Sequence, residues 1–150
     1  DALRALRAAA GERVPTYDGT HHRFAGMVVD PTPPADLTVW VGGRTARSLR
    51  RAVELADGWC PFGIGDSEVA AMLARASDTA AWAERRAPLE VVLQGTRALD
   101  PAGNPAATAD ALAAFRSAGA TAVSLRLVHR SPAHYVEQLH AMWELAAETR

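Results

Sequence analysis

Two hydrophobic periods take turns along this chain. From residue 37 onward, short β-branched or aromatic runs alternate with longer stretches in which apolar residues recur every three or four positions. The spacing predicts a strand over about 38–42 and a helix over about 45–56 that places Leu49, Val53 and Ala56 on one side. A short strand from Gly58 to Pro61 follows, then a helix over about 67–85 with Val69, Leu73, Ala76, Ala80 and Ala83 on one face and Asp66 or Ser67 as its cap. Leu89 to Thr96 reads as a third strand and Thr121 to Val128 as a fourth. Between them, a helix over about 107–118 carries Leu112 and Phe115 and stops at Gly119. Ser131 and Pro132 open a last helix over about 132–148, whose buried stripe is read as Val136, Leu139, Met142 or Trp143, and Ala146.

The first 36 residues differ. Ala2 to Ala10 is helix-like, with Leu3 and Leu6 on one side and Arg4 and Arg7 near the other. Tyr17-Asp18-Gly19-Thr20 signals a turn, Phe24 to Val29 reads as a short strand, and Pro31-Thr32-Pro33-Pro34 forces an extended link into the first main strand. The expected organisation is one domain over residues 1–150, in which a helix and an excursion (1–36) lead into four βα units (37–150). Strands alternating with helices of this length imply an α/β fold with a parallel sheet and right-handed crossovers. Four units do not close a (β/α)8 TIM barrel, so the pattern is that of a small open sheet or of half a barrel.

Composition removes several function classes. The net charge is −1 and the arginines scatter over helix faces, unlike the basic stripe of a nucleic-acid binder. All 16 basic residues are arginine, which excludes a Schiff-base lysine and a P-loop lysine. Cys60 is the single cysteine, with no neighbouring His to activate it, and reads as a small buried residue in a chain without internal disulfides. No apolar run approaches the roughly 18 residues of a membrane helix and no signal peptide is visible, so a soluble, cytoplasmic protein is expected. His129, His134 and His140 lack the spacing of a helical metal site, and His21-His22 falls in the excursion, so no metal is expected. Nor is there a GxSxG elbow, a GxGxxG fingerprint or a readable carboxylate pair, and the catalytic residues stay unknown.

The stretch from Leu37 to Phe62 carries the most chemistry. Its order is strand, Gly42-Gly43, Arg-rich helix, Asp57-Gly58-Trp59 turn, short strand. A glycine pair before a helix start allows backbone N–H groups to approach an anion at the positive end of the helix dipole. Gly42, Gly43, Arg44 and Thr45 therefore form the strongest candidate group, although capping alone accounts for Thr45 and exposure alone for Arg44. Strand alternation sends Val92, Gln94 and Thr96 to the interior, and likewise Ser124 and Arg126, while Val123, Leu125 and Leu127 pack under helices. Arg126 near the strand top suits an anion, either a phosphate or a structural carboxylate. Gln94 suits a ring edge or a satisfied core position, and Trp59 either lines the mouth or simply packs.

Residues 30–62 resemble the luciferase-like flavin and deazaflavin oxidoreductases. Pro31-Thr32-Pro33, Val39-Trp40-Val41-Gly42-Gly43-Arg44-Thr45, Leu49-Arg50-Arg51-Ala52 and Ala56-Asp57-Gly58-Trp59 carry the likeness. Tyr17-Asp18-Gly19 through Phe24 is similar to the family's insertion before this strand, and Gly119 to Val123 to its last strand entry. The resemblance implies a (β/α)8 barrel of which these units are strands five to eight, the C-terminal half. It implies an oxidoreductase or monooxygenase that binds coenzyme F-420 (a deazaflavin) or FMN together with a small organic substrate. Gly42, Gly43, Arg44, Thr45, Trp59, Gln94 and Arg126 are the residues expected to hold that cofactor. The alanine- and arginine-rich style leans the choice toward the deazaflavin. Because the first four units are missing, this piece is expected to be inactive alone. It would be a homo-oligomer or pair with an N-terminal half barrel, and a non-catalytic half-barrel assembly module is the competing reading. No nucleic acid and no membrane is expected as a partner.

Overall fold

A computed structural model describes residues 1–148. Helix α1 (Ala2–Ala9) comes first, then a small antiparallel pair, β1 (Tyr17–Asp18) and β2 (Arg23–Phe24). Strand β3 (Trp40–Gly42), helix α2 (Ala46–Leu55), strand β4 (Gly58–Cys60), helix α3 (Asp66–Ser77) and the one-turn helix α4 (Ala80–Ala83) follow. Strand β5 (Glu90–Leu99), helix α5 (Pro105–Ser117), strand β6 (Ala122–Leu127) and helix α6 (Pro132–Glu148) complete the described residues. The main sheet runs β3-β4-β5-β6, every pair parallel, with Val41 opposite Trp59, Trp59 opposite Val91 and Gln94 opposite Ser124. Sequential order with parallel pairing makes every crossover pass over the same face.

Burial confirms that one face is covered and the other open. Val41, Trp59, Val91 and Leu93 point into a core shared with Leu49, Ala52 and Val53 of α2 and Val69 and Met72 of α3. On the opposite face Trp40 is half exposed and Gln94, Ser124 and Arg126 are exposed. A doubly wound sheet buries both faces under helices, so the sheet has the one-sided cover of a partial barrel.

Three expectations about elements are corrected. The long helix over 67–85 is two helices. The Thr79 hydroxyl donates to Ala76 O (2.6 Å) and accepts from Trp82 N, so Thr79 ends one hydrogen-bond ladder and caps the next. The short strand over 24–29 is not formed beyond Phe24, because the excursion pairs as a two-residue hairpin instead. On α6 the buried position is Gln138, fully enclosed, whereas Val136, Leu139 and Trp143 face outward. Gln138 binds the loop after β5 through Ala102 N (3.0 Å) and Asp100 Oδ1 (2.5 Å), and those two bonds set which side of the helix turns inward.

Below the sheet an arginine and an aspartate tie the first helix to the first βα unit. Arg7 pairs with Asp57 at 2.6 Å and donates to Leu37 O, while the same carboxylate accepts from Val39 N. Arg85 donates to Ala52, Val53 and Ala56 carbonyls at the end of α2, where the helix leaves acceptors unpaired. Partial burial pushes the Asp57 carboxyl up. The hydrogen bonds from Arg7 and Val39 and the positive charges of Arg7 and Arg85 outweigh it, and the group sits below its ordinary value of 3.8. A depressed carboxylate contributes stability above its unfolded pKa and loses it as pH falls through the folded one. Melting temperature is therefore expected to drop as pH is taken from about 5 to about 3, and Asp57→Asn should flatten that slope. An unchanged slope in the variant would show that the pair contributes nothing to it.

Candidate functional site

All four parallel strands end at the same side of the sheet, and the chain builds a cleft of about 600 Å³ there. Its near wall is the loop after β4, Pro61 to Gly65, continued by Asp66 and Val69 of α3. Its far side is Gln94 and Thr96 of β5 with Ser124 and Arg126 of β6. Gln94, Thr96, Ser124 and Arg126 reach the cleft from the open face, while Val69 and Leu93 line it at the edge of the core. Its volume is within the range of small-molecule sites.

The seven expected residues fall into four groups. Gln94 and Arg126 line the cleft together. The Arg126 guanidinium is steadied by Thr96 O at 2.5 Å and makes no ion pair among the described residues. The Gln94 amide also lies 3.5 Å from the Cys60 sulfur, so Cys60 is half-buried on the open side rather than enclosed in the core. Gly42 and Arg44 adjoin the near wall. A side chain at Gly42 would lie 4.0 Å from the Phe62 ring, and the Arg44 Nη1 comes within 3.8 Å of where a Gly63 side chain would be. Gly43 and Thr45 belong to the helix start. Thr45 caps α2 in a reciprocal box with Ser48, and a Cβ on Gly43 would lie 2.5 Å from the Ser48 Cβ.

Trp59 is the correction. Its side chain is wholly buried and its indole N–H donates to the Ser48 hydroxyl at 3.2 Å, on the helix side of the sheet. Strand parity decides this: Trp59 is flanked by Gly58 and Cys60, and with Gly42 opposite Cys60 the open face takes Cys60. The indole cannot reach a ligand in the cleft.

Sequence reasoning missed Phe62, more than half exposed on the rim. Its signal was available: an aromatic between Pro61 and the glycines of Gly63-Ile64-Gly65, directly after a strand. A second missed cluster joins Asp100, Gly103 and Gln138. The Asp100 carboxylate accepts from Gln138 Nε2 and from Gly103 N (3.0 Å), and those bonds, with the charges of His134 and Arg130, hold it below the usual carboxylate value. It fixes the loop after β5 against α6. No group of three or more His, Cys, Asp or Glu is placed to hold a metal ion among the described residues, and no helix there is long and apolar enough to cross a membrane.

As a donor set, these residues suit a flat aromatic ligand with an anionic group. Arg126 and Arg44 supply charge, neither engaged by a carboxylate among the described residues. Phe62 offers an exposed ring and Gln94 an amide. Asp66 on the near wall is the one anion of the lining and favours the anionic end lying toward Arg126.

A parallel α/β sheet with a cleft at its strand ends is the arrangement in which α/β folds bind ligands. Among such folds the chain belongs to the luciferase-like monooxygenases, whose family profile matches residues 1–149. Membership implies flavin-dependent oxidoreduction. A search of curated proteins found no match to the chain.

Proposed function

We propose that this chain is the C-terminal half of a (β/α)8 barrel, strands five to eight, and forms the phosphate-binding side of a flavin-type oxidoreductase site. The observation that carries the reading is the shared cleft, in which Gln94, Ser124 and Arg126 face the exposed Phe62 ring across the strand ends. Coenzyme F-420 or FMN is the cofactor. When bound, the deazaflavin supplies hydride transfer with a small organic substrate, and reduced FMN supplies dioxygen activation for monooxygenation.

The chain's own residues do the positioning. Arg126, braced by Thr96 O, and Arg44 neutralise the cofactor phosphate, and the first turn of α2 adds its dipole. Gln94 presents its amide to the ring edge, and Phe62 screens the ring from water on the near side. One half supplies one wall of the mouth, so turnover requires four further βα units.

Spectral titration of the chain with FMN, coenzyme F-420 and riboflavin tests this. Arg44→Ala is expected to weaken the two phosphate-bearing cofactors about 10- to 100-fold, the loss of one charged hydrogen bond, while riboflavin changes little. Equal weakening of all three would remove Arg44 from the phosphate site. Binding of neither phosphate-bearing cofactor to the unaltered chain would end the proposal.

A further inference from the structure

A second recess lies in the helix layer. Helix α2 packs beside α3 and α4, and between them the chain leaves a groove of about 440 Å³. None of the residues that form it also forms the strand-end cleft. Its floor is Leu49 and Val53 of α2 and Met72 of α3, core residues whose outer edges stay within reach. Its rim is charged. Arg47 and Arg50, three residues apart on one face of α2, stand on one wall and Arg75 of α3 on the other. Arg47 and Arg75 make no ion pair among the described residues. Arg50 lies 4.0 Å from Glu54, an exposed pair at the outer limit of contact and worth little. Three arginines less one glutamate leave the rim at +2, in a chain whose net charge is −1.

We infer that this groove is a binding site, separate from the flavin-type cleft, for a monocarboxylate with an unbranched apolar body of about ten carbons. The apolar floor takes the body, and the guanidinium groups of the rim, whose planar fork matches a carboxylate, take the head. A cavity of this size is within the range of small-molecule sites. Both helical walls belong to this chain, so the groove stands whether or not the strand ends hold a flavin.

Its dimensions select an extended chain. From Ala46 to Glu54 the α2 wall runs about 12 Å at the helical rise. Spread along that wall, the volume corresponds to a cross-section of about 37 Å², against about 80 Å² for a helix some 10 Å across. A docked helix is too wide to enter. An extended peptide brings backbone N–H and C=O groups that need partners, and inside α2 and α3 those groups are already bonded along the helices. An aliphatic chain brings no such need. Extended, it advances roughly 1.2 Å per bond, the pitch of an extended polypeptide backbone, so about ten carbons fill the wall.

Isothermal titration of the 150-residue chain with hexanoate, octanoate, decanoate and dodecanoate, each below self-association, tests the inference. Saturable uptake of one decanoate per chain is expected. Affinity should rise about two- to fourfold per added methylene and level off beyond about ten carbons. Decanol, which has the body without the charge, should bind at least about tenfold more weakly, as the loss of a charged hydrogen bond implies. Arg47→Gln, Arg50→Gln and Arg75→Gln combined should weaken decanoate about 10- to 100-fold and leave decanol unchanged. All three arginines are exposed, so the melt of that variant should stay near that of the unaltered chain. Ala76→Met, which lengthens a side chain on the groove wall, should weaken decanoate and decanol alike. Absence of saturable decanoate binding would overturn the inference. So would binding untouched by the triple arginine variant, or affinity that keeps rising past ten carbons, which marks a surface without an end. A chain that takes up FMN and not decanoate overturns the groove alone, and one that takes up decanoate and neither flavin-type cofactor overturns the cofactor site alone.

Discussion

Replacing Trp59 with alanine should destabilise the chain by about 3–5 kcal/mol, the usual cost of removing a large aromatic side chain from a packed core. The indole has no exposed surface and packs with Val41, Leu49, Val53 and Val69 between the sheet and helices α2 and α3. Its N–H donates to the Ser48 hydroxyl, which keeps its bonds to Thr45 O and from Thr45 N in the alanine variant, so lost packing sets most of the cost. A typical domain of this size is stable by about 5–15 kcal/mol, so the loss is a large share of the whole and the variant should unfold at markedly lower urea. Urea titration followed by circular dichroism measures the loss. Trp59→Phe, which keeps most of the volume and drops the hydrogen bond, should recover most of it. A Trp59→Ala variant as stable as the parent but deficient in cofactor binding would restore the indole to the mouth.

That result bears on what was readable from the sequence. The βα alternation from residue 37 was legible because β5 and β6 are long enough for parity to show. Val123, Leu125 and Leu127 turn to the helices while Ser124 and Arg126 face the open side, as their spacing implies. Strand β4 has three residues between Gly58 and Pro61, too few for alternation to assign faces, and only register with β3 settles Trp59. The helix break at Ser77 to Thr79 was hidden because alanines on both sides keep the helical period while one hydroxyl interrupts it.

Helix α6 misled for the opposite reason. Its strongest apolar stripe, Val136, Leu139 and Trp143, is turned outward, and its inner position is a glutamine. A period analysis assigns the apolar stripe to the nearest core. Here the Asp100 and Ala102 loop gives Gln138 two partners, and the apolar stripe is left exposed. Around the cleft, the strand-end position of the glycine corner and the faces taken by Gln94, Ser124 and Arg126 were legible. The division of labour within the corner was not, because it depends on how closely α2 approaches the strand end.

The glycine pair should therefore split under mutation. Gly43→Ala is expected to be strongly destabilising, for two reasons that add. Its φ is +138°, a conformation L side chains rarely adopt, and a Cβ there would lie 2.5 Å from the Ser48 Cβ and 2.8 Å from its hydroxyl. Backbone strain of this kind costs about 1–3 kcal/mol, and displacing Ser48 disturbs both the Thr45 cap and the bond to Trp59. A loss of about 3 kcal/mol or more in urea titration is expected, combining that strain with a cap worth about 1 kcal/mol. Gly42→Ala behaves differently. Its φ is not positive and the nearest atoms to a new Cβ are Cys60 O at 3.8 Å and the Phe62 ring at 4.0 Å, ordinary contact distances. The fold should tolerate the methyl within about 0.5 kcal/mol, as exposed substitutions usually do. The same methyl would stand between the strand end and the Phe62 loop, so it should lower affinity for a phosphate-bearing flavin while leaving the melt unchanged. If instead Gly43→Ala melts like the parent, the helix start is looser than its contacts imply; if Gly42→Ala binds FMN and coenzyme F-420 as the parent does, the anion does not approach the chain at that corner.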